Sequence, residues 1–204
     1  VDYGMGNKQS VLNALTFLGI DAEITADPET VRRADRVILP GVGAFGAAME
    51  NLNRSGLREA MDEAVMGRGQ PFLGICLGMQ LVAARGTEKG LFCGLGWIDG
   101  EVRRLSPASA EYKLPHVGWN DILLAYEHPL FAGLKKERAF YFVHGYAFCP
   151  DDPAQAAARC DYGGEFVAAV ARDNIFATQF HPEKSQKNGL TILENFADWE
   201  GGPC

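Results

Sequence analysis

Two short stretches of this chain carry side chains that could do covalent chemistry together. The first is Gly74-Ile75-Cys76-Leu77-Gly78, a cysteine with glycine two residues away on each side. Phe72 to Ile75 is an apolar run of the length of a strand buried on both faces of a parallel sheet. Leu77 to Arg85 has the pattern of a helix, with Gly86 suited to a left-handed C-terminal cap. A strand that turns at once into a helix forces the turning residue into a strained conformation and brings the two elements close. Gly74 and Gly78 remove the side chains that would collide there. Such a turn lifts its tip over the carboxyl end of the sheet, as in a nucleophile elbow, here with sulfur in place of oxygen. A helix N-terminus also favours the thiolate, the reactive form. A buried structural cysteine beside packing glycines would give the same local pattern.

The second stretch is Phe180-His181-Pro182-Glu183, at the end of the strand-like segment Ile175 to Phe180. A rigid proline between histidine and glutamate can hold imidazole and carboxylate side by side. A nucleophilic thiol needs this pair: a base for its proton, and an acid that fixes the base's tautomer and stabilises its cation. Singly, such residues are more often a loop histidine and a solvated glutamate. A third stretch, Pro40-Gly41-Val42-Gly43, follows the strand Arg36 to Leu39 and can aim backbone N–H groups outward. It reads either as an ordinary strand-to-helix loop or as a preformed anion site.

The elements around these stretches predict an α/β layered fold. Val1 to Tyr3 reads as the end of a strand whose beginning is missing, and Gly4 to Asn7 as a turn. A helix follows with Val11, Ala14, Leu15 and Leu18 on one face and Gly19 as its stop. Ile20 to Ile24 alternates like an edge strand, and Asp27-Pro28 opens a short helix. Two helices, Ala44 to Asn53 and Leu57 to Met66, precede the elbow. Strand and helix in this rhythm imply a mostly parallel sheet flanked by helices. Beyond Gly86 strand patterns dominate: Trp97 to Leu105, Ile122 to Leu124, Ala139 to Val143, Ala156 to Cys160 and Phe166 to Ala171. With hairpin turns at 161–164 and 172–174, these make the second half antiparallel or mixed. A last helix, Gly189 to Trp199, carries Leu190, Leu193, Phe196 and Ala197. No linker or repeat interrupts residues 1–204, so one domain is expected.

Composition narrows the function classes. A chain of 204 residues can bury a sizeable core, and a net charge of −7 argues against a nucleic-acid partner. No apolar run approaches the roughly 20 residues that cross a bilayer, and the start resembles no secretory signal. Five cysteines without a C-x-x-C pair read as free thiols of a reducing compartment. The four histidines lack zinc-site spacing. The expectation is a cytoplasmic protein with no metal and no cofactor.

The order Cys, then His and Glu in a His-Pro-Glu, resembles the class I (triad) glutamine amidotransferases over essentially the whole chain. Asp2-Tyr3-Gly4-Met5-Gly6-Asn7, Pro40-Gly41-Val42-Gly43, Gly74 to Gln80, Pro115-His116-Val117-Gly118-Trp119-Asn120, Tyr141 to His144 and Phe180 to Ser185 narrow it further. Together they resemble the branch that serves imidazole glycerol phosphate synthases in histidine biosynthesis. The resemblance implies a flavodoxin-like layered fold and a glutaminase with Cys76, His181 and Glu183 as triad. It places the oxyanion donors at Leu77 and in the turn at Val42, and glutamine contacts at Gly43, Gln80 and Glu88. It implies as partner a (β/α)8-barrel cyclase that takes up the ammonia, with Asn7, Trp119, Tyr141 and Lys184 near the interface. A core tryptophan, and a surface role for Glu88, are the plainer alternatives. His116 and His144 are expected to be structural.

Two positions depart from that pattern. Lys8 stands where an apolar residue is usual, and Gly145 where serine or threonine is usual. A glutaminase feeding a different synthase, or a catalytically idle subunit of the same fold, would share the elbow and the His-Pro-Glu.

Overall fold

In a computed structural model, which describes residues 1–202, the cysteine elbow sits at the carboxyl end of the central sheet. In chain order come α1 (Lys8–Phe17), α2 (Pro28–Arg33), β1 (Val37–Gly41), α3 (Phe45–Ser55) and α4 (Leu57–Met61), the last continued by a π-helical turn, Asp62–Gly67. Next are β2 (Phe72–Cys76), α5 (Leu77–Leu81), β3 (Ala83–Gly86), β4 (Phe92–Cys93), β5 (Ile98–Arg104) and β6 (His116–Asp121). Then follow β7 (Leu123–Leu124), β8 (Ala139–His144), β9 (Tyr146–Pro150), β10 (Ala156–Asp161), β11 (Glu165–Arg172), β12 (Ile175–Thr178) and α6 (Gln186–Asp198).

The main sheet runs β1-β2-β12-β11-β10-β7. Its β1–β2 and β2–β12 pairs are parallel; β11 and β10 join antiparallel through the two expected hairpins, and β7 pairs antiparallel with β10. Helices cover both faces. Phe45, Met49, Leu52, Leu57 and Met61 from α3 and α4 pack on one face, against Phe72. Val11 and Leu15 of α1 with Ile192, Leu193 and Phe196 of α6 pack on the other, against Leu73 and Ile75. Every residue of β2 is buried, which is why its sequence is a continuous apolar run rather than an alternation. A second sheet, β4-β3-β5-β9, and the β6–β8 ribbon complete the fold.

Four sequence expectations are corrected. Val1 to Tyr3 forms no strand, although the Val1 amine donates to Ile38 O (2.8 Å) and Asp2 N to Thr25 O (2.7 Å). Ile20 to Ile24 forms no strand either; its alternation buries no residue fully. The helix after Cys76 ends at Leu81, not Arg85. The carbonyls of Leu81, Val82 and Ala83 there accept from Leu95, Trp97 and Gly96 (2.8, 3.0 and 3.1 Å), so the second sheet takes over the chain. Gly86 is thus a strand residue and no helix cap; a Cβ on it would meet the Phe45 ring at 2.8 Å. In α6 the buried face is Gly189, Ile192, Leu193 and Phe196, while Leu190 and Ala197 are only half-buried. The fifth cysteine, Cys204, lies outside the described residues; Cys76, Cys93, Cys149 and Cys160 are free thiols.

Candidate active site

Cys76 ends β2 and precedes α5 with φ 54° and ψ −104°, a conformation that a non-glycine residue rarely adopts. Such strain costs about 1–3 kcal/mol. Burying Phe72 and Ile75 on the same strand, each fully enclosed, is worth roughly 1.5–3 kcal/mol apiece, so the core can hold the elbow. The glycines behave as their spacing predicts. A Cβ on Gly74 would lie 2.8 Å from Gly78 O, and one on Gly78 would run into Leu39 O of β1.

β1 and β12 flank β2 and deliver the other site residues. Gly41 is the register partner of Cys76, so the turn at Val42 and Gly43 begins beside the sulfur. Gly43 has φ +121° and leaves room for Met5, and Gly6 packs on Pro40 and Gly41. The turn after Tyr3 therefore supports the turn after β1. Tyr3 itself is buried, and its hydroxyl has no hydrogen-bond partner and presses on Gly41.

On the other flank His181 follows β12. Its backbone N donates to Tyr141 O (2.9 Å), and its carbonyl accepts from Ser185 Oγ (2.6 Å) and Lys184 N (3.1 Å). Pro182 to Lys184 form a single 3-10 turn that brings the carboxylate back to the ring. His181 Nδ1 lies 2.8 Å from Glu183 Oε1, with both side chains all but enclosed. Burial alone would lower the His181 pKa. The hydrogen bond to Glu183 and negative charge on the nearby Cys76 sulfur and the Glu183 carboxylate outweigh it and raise the value to about 9. His181 Nε2 closes no bond of good geometry in the resting site. The Cys76 thiol is instead directed at Val143 O (3.8 Å) and accepts from Gln179 Nε2 (3.7 Å).

The structure thus brings Cys76, His181 and Glu183 together, with Leu77 and Val42 at the two turns beside the sulfur. Leu77 opens α5, where backbone N–H groups lack helical partners. Gln80 is buried, and its Nε2 is engaged with Tyr146 O (2.9 Å) and Gln179 Oε1 (3.1 Å). Glu88 Oε2 accepts from Phe45 N (2.9 Å), which caps α3 where Ala44 has no side chain to do so. Sequence reasoning does not single out Gln179. Its only signal is a polar residue inside the apolar strand run, two before His181 and so on the same face.

Trp119 and Tyr141 are register partners on the β6–β8 ribbon, with rings 6.1 Å apart. Tyr141 is also 6.4 Å from the His181 ring and carries Lys184 Nζ 5.7 Å above its own. Trp119 is 48% exposed and Val42 41%, so both present apolar surface to solvent. Asn7 is exposed and caps α1 by accepting from Ser10 N (3.3 Å). Lys8 bonds Asp2 Oδ1 at 2.6 Å, a reason for a cation at this position. Around Gly145 the nearest atom to an added Cβ is 4.0 Å away, so a larger residue would fit. Burial pushes His116 and His144 down to about 4 and leaves both neutral. Among the described residues no cluster of three metal-ligating side chains occurs, and no helix is long and apolar enough to cross a membrane.

The family "Glutamine amidotransferase class-I" matches residues 1–199. Imidazole glycerol phosphate synthase subunit HisH of Caulobacter vibrioides is 47% identical over 98% of this chain and 96% of its own. The protein of the same name from Zymomonas mobilis is 50% identical over 98% and 94%. Among solved structures, the PurLQS structure from Thermotoga maritima superposes with TM-score 0.70 at 18% identity, covering 97% of this chain and 95% of its own. A crystal structure of a glutamine amidotransferase gives TM-score 0.70 at 20% identity, covering 94% and 95%. At such identity these structures speak for the fold alone.

Proposed function

The chain belongs to the class I glutamine amidotransferase family, and from that premise we propose that it is the glutaminase subunit of an imidazole glycerol phosphate synthase. The observation that carries the chemistry is the buried pair of His181 and Glu183 beside a strained Cys76. The name shared by relatives of nearly equal length carries the pathway.

Cys76 Sγ attacks the side-chain carboxamide carbon of glutamine as the thiolate, paired with the His181 imidazolium. For this the thiol turns from Val143 O toward the imidazole. Glu183 holds the ring by Nδ1 and stabilises its cation. The oxyanion is held by the backbone N–H of Leu77 and a second N–H from the turn at Val42. Each such donor is worth about 3 kcal/mol in the transition state. His181 then protonates the departing ammonia, leaving a thioester on Cys76. Water, activated by His181, hydrolyses it to glutamate and frees the thiol. Gly43 and Gln80 contact the substrate glutamine, and the second oxygen of Glu88 suits its ammonium group.

Ammonia released into bulk water would be protonated and lost as a nucleophile. The partner is a cyclase subunit built as a (β/α)8 barrel, which carries ammonia to a ribulosyl phosphoramidite. Its products are imidazole glycerol phosphate and an aminoimidazole carboxamide ribotide. Exposed Trp119, with Tyr141, Lys184 and Asn7, forms the docking face; aromatic side chains half-exposed beside a site suit an interface hot spot. The whole of residues 1–204 acts as one amidotransferase domain, in the cytoplasm, without metal or cofactor.

The test of the chemistry is an electrophilic glutamine analogue with a diazoketone in place of the carboxamide. A covalent adduct confined to the Cys76 peptide, blocked by glutamine, is expected. Labelling elsewhere, or none in folded protein, would refute the assignment.

A further inference from the structure

We propose that Gln179 is a further catalytic residue: its side-chain N–H is locked against the Cys76 sulfur and stabilises the attacking thiolate. This rests on the reading of Cys76 as the nucleophile.

Position comes from the sheet. Thr178 of β12 pairs in parallel with Ile75 of β2, so the next residue along, Gln179, stands opposite Cys76. Its backbone N donates to Ala168 O at 2.8 Å, which holds it beyond the end of the strand. The side chain is fully buried, where an amide must satisfy its hydrogen bonds or cost stability.

Orientation comes from a chain of bonds with only one consistent polarity. The Tyr146 carbonyl oxygen can only accept, so the end of the Gln80 amide that meets it at 2.9 Å is the NH2. The same nitrogen lies 3.1 Å from the Gln179 amide, so Gln179 must present its oxygen there. That leaves Gln179 Nε2 facing Cys76 Sγ at 3.7 Å. Reversing Gln179 would set two donors against each other and an oxygen against the sulfur. The far end is fixed too. His144 Nδ1 also donates to Tyr146 O (2.9 Å), which makes His144 Nε2 the acceptor for His116 Nδ1 (3.3 Å).

A donor held on the sulfur favours the anion over the thiol and helps keep the sulfur aimed. The ionisable groups around this sulfur are His181, backed by Glu183, and Tyr3. Of these only His181 can favour the thiolate, and Gln179 adds a side-chain donor to it and to the N-terminus of α5. A satisfied core amide without this role would leave thiol chemistry unchanged.

The test follows alkylation of Cys76 by iodoacetamide against pH in the native protein, read by peptide mass. The parent is compared with Gln179→Met, Gln179→Glu and Gln80→Met. Loss of a hydrogen bond to a charged group should move the alkylation midpoint up by about one pH unit, and the rate at neutral pH should fall about tenfold. Gln179→Glu should shift further. Gln80→Met, which in this assay without glutamine frees Gln179 to turn, should shift less in the same direction. Turnover should fall in kcat more than in KM. An unchanged midpoint in folded Gln179 variants would overturn the proposal, and Gln80→Met decides if neither of those folds. Absence of alkylation at Cys76 in the parent would instead remove the nucleophile itself.

Discussion

Gly41 stands opposite Cys76 across the parallel β1–β2 pair, with no space for a side chain of its own. A Cβ there would run into the Tyr3 hydroxyl and lie 2.9 Å from Leu77 Cβ. The nucleophile and the start of the oxyanion turn are therefore set by one strand register, and the chain's first residues wedge that register from behind.

Gly41→Ala should displace the turn without touching the triad. With a donor lost from the oxyanion site, kcat should fall by about 10²–10³ while Cys76 still alkylates. Steady-state kinetics of glutamine hydrolysis check this. Parent-like kcat would mean that the turn takes no part in the chemistry.

The elbow's glycines predict a stability effect. In Gly78→Ala the new methyl meets Leu39 O, and overpacking of this kind costs about 1–3 kcal/mol. For a chain of this length that is a fall in Tm of roughly 2–12 °C, visible in a thermal melt. An unchanged melt would mean that α5 can shift away from β1.

Folded His181 keeps its proton to about pH 9, against 6.5 for an unperturbed imidazole. Between those values the folded chain binds the extra proton, so stability falls as pH rises through the window and the contribution is fully present below it. The same proton is the one donated to ammonia, so kcat/KM should decline above about pH 9. Glu183→Gln removes one support of the cation and should move both effects to lower pH. Urea titrations and pH–rate profiles of parent and variant test the sign.

Glu88 is where two readings separate. Glu88→Gln keeps an oxygen for Phe45 N, so the α3 cap and Tm should hold. If the carboxylate also meets the substrate ammonium, KM for glutamine should rise about tenfold, the effect of one lost ion pair of about 1.4 kcal/mol. Glu88→Ala should in addition cost about 0.5–2 kcal/mol of stability, as a lost cap does. Unchanged KM in both variants would leave Glu88 a cap alone.

Much of the site is legible in the sequence because its chemistry depends on local spacing. Gly74, Cys76 and Gly78 define a turn within five residues, and His181-Pro182-Glu183 closes its hydrogen bond within three. Features fixed by distant partners are not legible. The chain after Leu81 has helical periodicity, yet Leu95 and Trp97 claim its carbonyls for a second sheet. Glu88 shows a charge, but its role at the α3 terminus depends on where β3 leads. Gln179 escapes notice for the same reason. In sequence it is one polar residue in a strand, and only the β2–β12 register and the orientation of Gln80 aim it at sulfur. The β6 strand is visible only as a motif, because its burial pattern is set by β8 and the aromatic stack on His116.

The most direct measurement is glutamate release from glutamine by the purified chain, alone and then with a cyclase subunit and its phosphoramidite ligand, with Cys76→Ala as blank. The account predicts slow release alone, a marked rise on adding the cyclase and ligand, and neither with Cys76→Ala. Equal turnover with and without the cyclase, or turnover that survives in Cys76→Ala, would contradict it.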